Sequence, residues 1–231
     1  MALAVHLAAL AAAALQATRP APIPEPGALN PYVLRVFESY PRDGSHGYWW
    51  PKGSAWEGTT RDLFYLGRKV ASGDPKKRSY CCGLTFEVFF RAWEEWSREQ
   101  GHAFRIGDLT AESIVEFRRA WYGSDGDRRT LLHALVDHGL GSRVEDLEEA
   151  IPGDFVQFWR ESGSGHSAIF LAWERRGREI AGIRYGSSQG STKGIGVNSE
   201  YLGSEAARRG AKGKGIDPAQ LYLARVGRAR D

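Results

Sequence analysis

The chain has 231 residues and a mass of 25.6 kDa, enough for one domain with a modest addition. Hydrophobic residues make up 42% and charged residues 26%, with eight Trp, nine Tyr and ten Phe, which excludes wholesale disorder and a multi-span membrane protein. The 31 Lys and Arg stand against 28 Asp and Glu, and a net charge of +3 is too small for the basic stripe of a dedicated nucleic-acid binder.

Residues 1–17 carry no Lys, Arg, Asp or Glu and form a short run of small apolar residues, which reads as a secretory signal peptide cut near Ala17. The run is too short to span a bilayer comfortably. Pro20, Pro22, Pro24 and Pro26 then impose an extended linker over 18–29. Asn30-Pro31 opens a predicted helix ending before Pro41. Residues 42–58 are rich in Gly and Trp and read as a structured loop, whose Trp49 and Trp50 either line a groove or pack the helices onto the main body. Helical spacing predicts helices over 59–72, 81–100, 111–122 and 129–138, with a short one over 144–150. After Pro152 the character changes. Five short runs rich in β-branched and aromatic residues, separated by Gly and charged turns, predict an antiparallel sheet of about five strands. Helices first and strands later make an α+β chain, helical over 30–150 and strand-rich over 151–231. The basic excess falls late, where 207–215 reads as a Gly-rich solvated loop.

The two cysteines, Cys81 and Cys82, are adjacent and sit where a loop becomes a helix. Unpaired N–H groups at a helix N-terminus favour a thiolate and help hold a developing oxyanion, so this is a favourable position for a nucleophile. The bland alternative is a pair of small buried hydrophobes. A structural disulfide between them is disfavoured, because adjacent Cα atoms lie about 3.8 Å apart, below the usual ~4.4–6.8 Å. Both cysteines head apolar stripes, Cys81 with Leu84, Val88 and Ala92, and Cys82 with Phe86, Phe89 and Trp93, so periodicity does not choose between them.

A cysteine nucleophile needs a base. Of six histidines, His166 opens a strand and shares a face with Ala168, Phe170 and Ala172, whose small members leave room for a helix end. His133 and His138 lie five apart on a helix and make a poor metal pair. No phosphate-binding loop, dinucleotide fingerprint, zinc-protease motif or EF-hand loop appears, so no cofactor or metal is expected.

Three segments resemble the NlpC/P60 cysteine peptidases. Cys81-Cys82-Gly83-Leu84 is similar to the motif that opens that family's central helix, where Cys is followed by Ser or Thr, Gly, and Leu or Phe. Pro152-Gly153-Asp154-Phe155-Val156-Gln157-Phe158 resembles its next strand, and Gly165-His166-Ser167-Ala168-Ile169-Phe170-Leu171 the strand that carries its base. The resemblance covers about residues 79–190. It implies a papain-like fold, with the cysteine helix packed on an antiparallel sheet, and hydrolysis of amide bonds in peptidoglycan peptides by a secreted or periplasmic monomer. By motif position it implies Cys81 as nucleophile, with His166 as base. Tyr80 stands where the family usually has Asp, some 70 residues with extra helices separate Cys82 from Pro152, and no histidine offers itself as the third group. A non-catalytic wall-binding protein, or an amidase or acyltransferase of the CHAP kind on the same fold, are the alternatives.

The third group follows from the predicted hairpin. With Arg176-Gly177 as the loop, His166 faces Ser187 and Gln189 is next on the same face. Gln189 offers a carbonyl of longer reach and is the choice, with Ser187 second. A bulge at Gly177 would bring Ser188 to this face instead. Tyr80, Trp49, Trp50 and Ser187 are the candidate substrate contacts.

Overall fold

Pro31 in the first turn and the buried stripe Val33, Val36 and Phe37 make Asn30–Glu38 an amphipathic helix, α1. The computed structural model describes residues 22–50, 57–124 and 126–227, so the predicted leader at 1–17 lies outside the described residues. The described part of the linker lies against the body, with the Gly27 N–H donating to Val226 O and Ile23 packed on the core.

The expected helix over 59–72 is instead a hairpin of β1 (Leu63–Tyr65) and β2 (Arg68–Ala71). Leu66 and Gly67 form its two-residue turn, both at positive φ (49° and 79°). Two such residues match the right-handed twist of a tight hairpin, and Gly67 is the punctuation that helical spacing overrode.

The cysteine helix α2 runs Cys81–Glu99, as its apolar density predicts. Every residue from Cys81 to Phe90 is buried, so the first half of the helix is enclosed on all sides, while the second half is amphipathic and exposes Glu94, Arg98 and Glu99. Helix α1 and α3 (Ser113–Tyr122) pack against it, and α4 (Thr130–Asp137) packs on α3 and on the sheet. The short helix expected over 144–150 is one 3₁₀ turn, Leu147–Glu149.

The sheet has six strands rather than five: β3 (Gly141–Arg143), β4 (Phe155–Arg160), β5 (Gly165–Arg176), β6 (Glu179–Gln189), β7 (Gly194–Tyr201) and β8 (Ile216–Val226). Their order is β3-β8-β4-β5-β6-β7, antiparallel throughout. The basic segment is partly helical, because α5 (Gly203–Arg208) precedes its turn and Glu205 pairs with Arg208 and Arg209.

The sheet is buried on both faces. Phe155, Ile169 and Ala224 join the helices in one core, while Val156, Phe158, Phe170, Tyr185 and Leu223 form a second. Phe89 of α2, Trp121 of α3 and Phe155 of β4 stack in series at 5.0 and 5.1 Å between ring centroids. Full burial of such a ring is worth roughly 1.5–3 kcal/mol, so this stack fixes the cysteine helix to the sheet. Among the described residues no helix is long and apolar enough to cross a membrane.

Candidate functional site

Cys81 is the first residue of α2. Tyr80 before it is extended (φ −128°, ψ 175°) and provides no side-chain cap, so the leading N–H groups of the helix are left for other acceptors. Gly83 sets the depth of this end. A Cβ there would lie 2.0 Å from Gly58 O, so only glycine lets the preceding loop pass directly over the helix. Thr85 secures the first turn by donating to the carbonyls of Cys81 and Cys82, and Trp121 donates to Thr85 Oγ1 at 3.1 Å.

The motif Pro152-Gly153-Asp154 holds the sheet from below. Asp154 is fully buried and accepts from Asn30, the Ile151 N–H and the Arg225 guanidinium. Strand β4 leads from it, and its neighbour β5 opens with His166; Ser167 and Ile169 face α2, whereas Ala168 and Phe170, on the face of His166, lie in the second core, so the small residues there do not make room for the cysteine helix as expected.

The two cysteines are free, buried and differently placed. Their sulfurs are 3.8 Å apart. Cys82 Sγ also lies 3.3 Å from Ser167 Oγ, which donates to Gln157 Oε1, as does Thr130 Oγ1 at 2.9 Å. The Cys82 thiol beside Cys81 holds the Cys81 thiol well below the usual range. Burial opposes this, and the His166 imidazole and the Ser167 backbone N–H reinforce it. Cys81 in turn pushes the Cys82 thiol well up, and burial adds to the effect. One thiol of the pair is therefore acid-shifted and the other is kept protonated.

Cys81 and His166 lie where two cavities meet. A cavity of about 600 Å³ is lined by both, with Tyr48, Arg160, Gln189 and Glu200 among its walls. A second, of about 260 Å³, is lined by both together with Tyr122, Asp127, Gln157 and Trp159. Trp50 lines both cavities and is 59% exposed.

The other expected contacts divide. Trp49 lines neither of these cavities and carries the Arg78 guanidinium over its ring at 4.3 Å. Tyr80 is buried, its ring 5.0 Å from Trp50 and 5.8 Å from Tyr122, so it supports the wall and is not a cavity residue. Ser187 does not face His166. The loop of the β5–β6 hairpin is Gly177-Arg178, with Arg176 opposite Glu179, one residue later than expected. Ile169 pairs with Gly186, an offset that, carried three residues on, brings Gln189 level with His166. Two bulges along the hairpin shift the register in opposite senses and cancel, so the predicted face survives while the opposed residue changes. Ser187 is buried and donates to Ser167 O, and Ser188 donates to Ser79 O.

The sequence reading missed Ser167, Gln157, Tyr185, Arg160 and Glu200. Ser167 adjoins the histidine, but its role depends on the approach of Cys82. The ion pair of Arg160 and Glu200 joins β4 to β7 across two intervening strands. Compared with family models, curated proteins and solved structures, the chain matches none of them.

Proposed function

We propose that this chain is a cysteine hydrolase of papain-like arrangement that cleaves amide bonds in peptidoglycan peptides, with Cys81 as nucleophile and His166 as its base. The observation that carries this reading is the acid-shifted Cys81 thiol, at an uncapped helix start beside His166, where two cavities meet. A packing cysteine has no need of a lowered pKa or of two adjoining cavities. Cys82 is the weaker candidate because its thiol is pushed up and engaged with Ser167. The substrate class follows from the three motif resemblances, and export from the apolar run at 1–17.

In this mechanism the Cys81 thiolate attacks the amide carbonyl and forms a C–S bond. The oxyanion is met by the leading N–H groups of α2. Collapse breaks the C–N bond as the His166 imidazolium gives its proton to the leaving amine. Water then attacks the thioester and loses a proton to His166. Cleavage of the C–S bond frees the acid and restores the thiolate. Tyr48 and Trp50 offer apolar surface to a peptide or glycan on either side of the pair.

The test is digestion of purified cell walls with the protein, with mass analysis of the released fragments and Cys81→Ala as control. Release of new peptide ends that the control lacks supports the reading. Walls that bind the protein yet stay uncut would favour the wall-binding alternative.

A further inference from the structure

Two thiols stand side by side at the head of α2, and the proposed hydrolysis gives only one of them a bond to make or break. The placement of the other, Cys82, is nonetheless specific. Its sulfur lies 3.8 Å from that of Cys81, and neither cysteine is in a disulfide. Both line the cavity of about 260 Å³, together with His166 and Ser167. A cavity of that size holds several water-sized molecules, so one as small as hydrogen peroxide fits beside both sulfurs.

The two thiols are set to react in order. A peroxide oxidises the thiolate, so the acid-shifted Cys81 is the first target. Cys82 is held back, because the Cys81 sulfur beside it and burial push its thiol well up, while Ser167 draws it down. Oxidation turns the Cys81 thiolate into a neutral sulfenic acid. The ionic hydrogen bond to Cys81 and the charge of that sulfur then no longer raise the Cys82 thiol. Burial alone is left against Ser167 and the Cys82 N–H. Oxidation of the first thiol thus releases the second.

We infer that Cys81 and Cys82 form a peroxide-oxidation site, in which Cys82 captures the sulfenic acid of Cys81 as a reversible disulfide between neighbouring residues. In the first step the Cys81 sulfur attacks one oxygen of hydrogen peroxide. An S–O bond forms, the O–O bond breaks, and the departing hydroxide takes a proton from the His166 imidazolium to leave as water. The sulfur loses two electrons and the peroxide gains them. In the second step the Cys82 sulfur attacks the Cys81 sulfur. The S–S bond forms, the S–O bond breaks, and the hydroxide leaves with the Cys82 proton as a second water. A dithiol reductant returns both thiols. Adjacent Cα atoms lie about 3.8 Å apart, below the range of unstrained bridges. Closing this one draws on the first turn of α2, where Thr85 holds the carbonyls of both cysteines. A strained bridge is readily reduced, which suits a guard against the irreversible sulfinic acid and not a structural cross-link. Of the proposed function this needs only the Cys81–His166 pair, and not the substrate.

The test is mass spectrometry of the full chain after an equimolar dose of hydrogen peroxide at neutral pH. The parent should lose about 2 Da and both free thiols together, with the bridge inside the one peptide that carries both cysteines, and dithiothreitol should restore both. Cys82→Ser keeps a hydrogen-bond donor beside Cys81 but has no sulfur to give. Dimedone should trap it as a sulfenic acid, and without the trap it should gain about 32 Da as a sulfinic acid that dithiothreitol does not reverse. Cys81→Ala should leave Cys82 unoxidised at the same dose. A parent that gains about 32 Da as readily as Cys82→Ser, that stays unmodified at a dose that oxidises Cys82→Ser, or that forms a disulfide between two chains would overturn the inference. Should the variants fold poorly, the parental mass decides by itself, since a reversible loss of about 2 Da supports the bridge and a gain of about 32 Da refutes it. A bridge that forms in a protein that leaves cell walls uncut would keep this site and remove the hydrolase reading. Wall cleavage without a bridge would do the reverse.

Discussion

Replacing His166 with Ala tests the central electrostatic claim. In the native protein Cys82, His166 and the Ser167 N–H hold the Cys81 thiol low against the upward push of burial. Its thiolate is therefore present at mildly acidic pH and is lost only as the pH falls through the depressed value. Removing the imidazole takes away its share of the lowering and leaves burial, the Cys82 thiol and the Ser167 N–H in place, so the thiol moves back up toward, and at most to, its free value of about 8.5. At pH 6 a thiol with that value is only about 0.3% thiolate, which sets an upper limit of roughly 300-fold on the loss of alkylation rate from ionisation alone. A more basic thiolate is intrinsically more nucleophilic, with a Brønsted slope of about 0.4–0.5, so the observed fall should lie between about tenfold and 300-fold. The assay is the iodoacetamide rate on Cys81 from pH 5 to 9, with the labelled residue identified by peptide mass. The native profile should be flat over the neutral range, and that of His166→Ala should fall about tenfold per pH unit below 8. A flat His166→Ala profile, or labelling that appears only at alkaline pH in both proteins, would refute the reasoning.

Cys82→Ala removes the thiol beside Cys81, so the alkylation profile should move to higher pH, while Cys82→Ser should restore most of the shift. An unchanged profile in both variants would mean that Cys82 does not tune its neighbour. Gly83→Ala puts a methyl group 2.0 Å from Gly58 O and should cost at least about 1–3 kcal/mol, read as a lower thermal midpoint. A midpoint within a degree of the parent would show that the loop yields freely. Arg225→Leu strands the fully buried Asp154 carboxylate and should cost about 3–5 kcal/mol in a denaturant titration, a loss that Asp154→Asn in the same chain should partly relieve.

The elements legible in the sequence were those that local chemistry specifies. Apolar density between Cys81 and Glu99 is too long for a strand and carries no Gly or Pro beyond its first turn, so the cysteine helix follows. Strands β4 to β8 alternate or run apolar between turn residues, and the change of character at Pro152 marks where they begin. Cys81 and His166 were visible because their residue types stand at a helix start and a strand start, positions that need no distant partner to define them. The helix expected over 59–72 failed because its apolar residues fit the 3.6 period and the two-residue alternation alike, and only the positive φ at Leu66 and Gly67 separates them. The sixth strand, Gly141–Arg143, has no apolar pattern and is made a strand by the edge of β8.

What only the tertiary structure decided is the division of labour within the site. The two cysteines are equivalent in sequence pattern, since the first half of α2 is buried all round. They differ because Ser167 engages one sulfur while the other stands between two cavities with His166. The residue opposite His166 turned on a one-residue difference in the hairpin loop, which side-chain alternation cannot detect because it preserves the face. Arg160, Tyr185 and Glu200 meet across four strands, and no spacing along the chain encodes that meeting. A sequence sets which side chains a strand presents to each face. Which of them become neighbours depends on strand order and register, and these are fixed by the packing of the whole sheet.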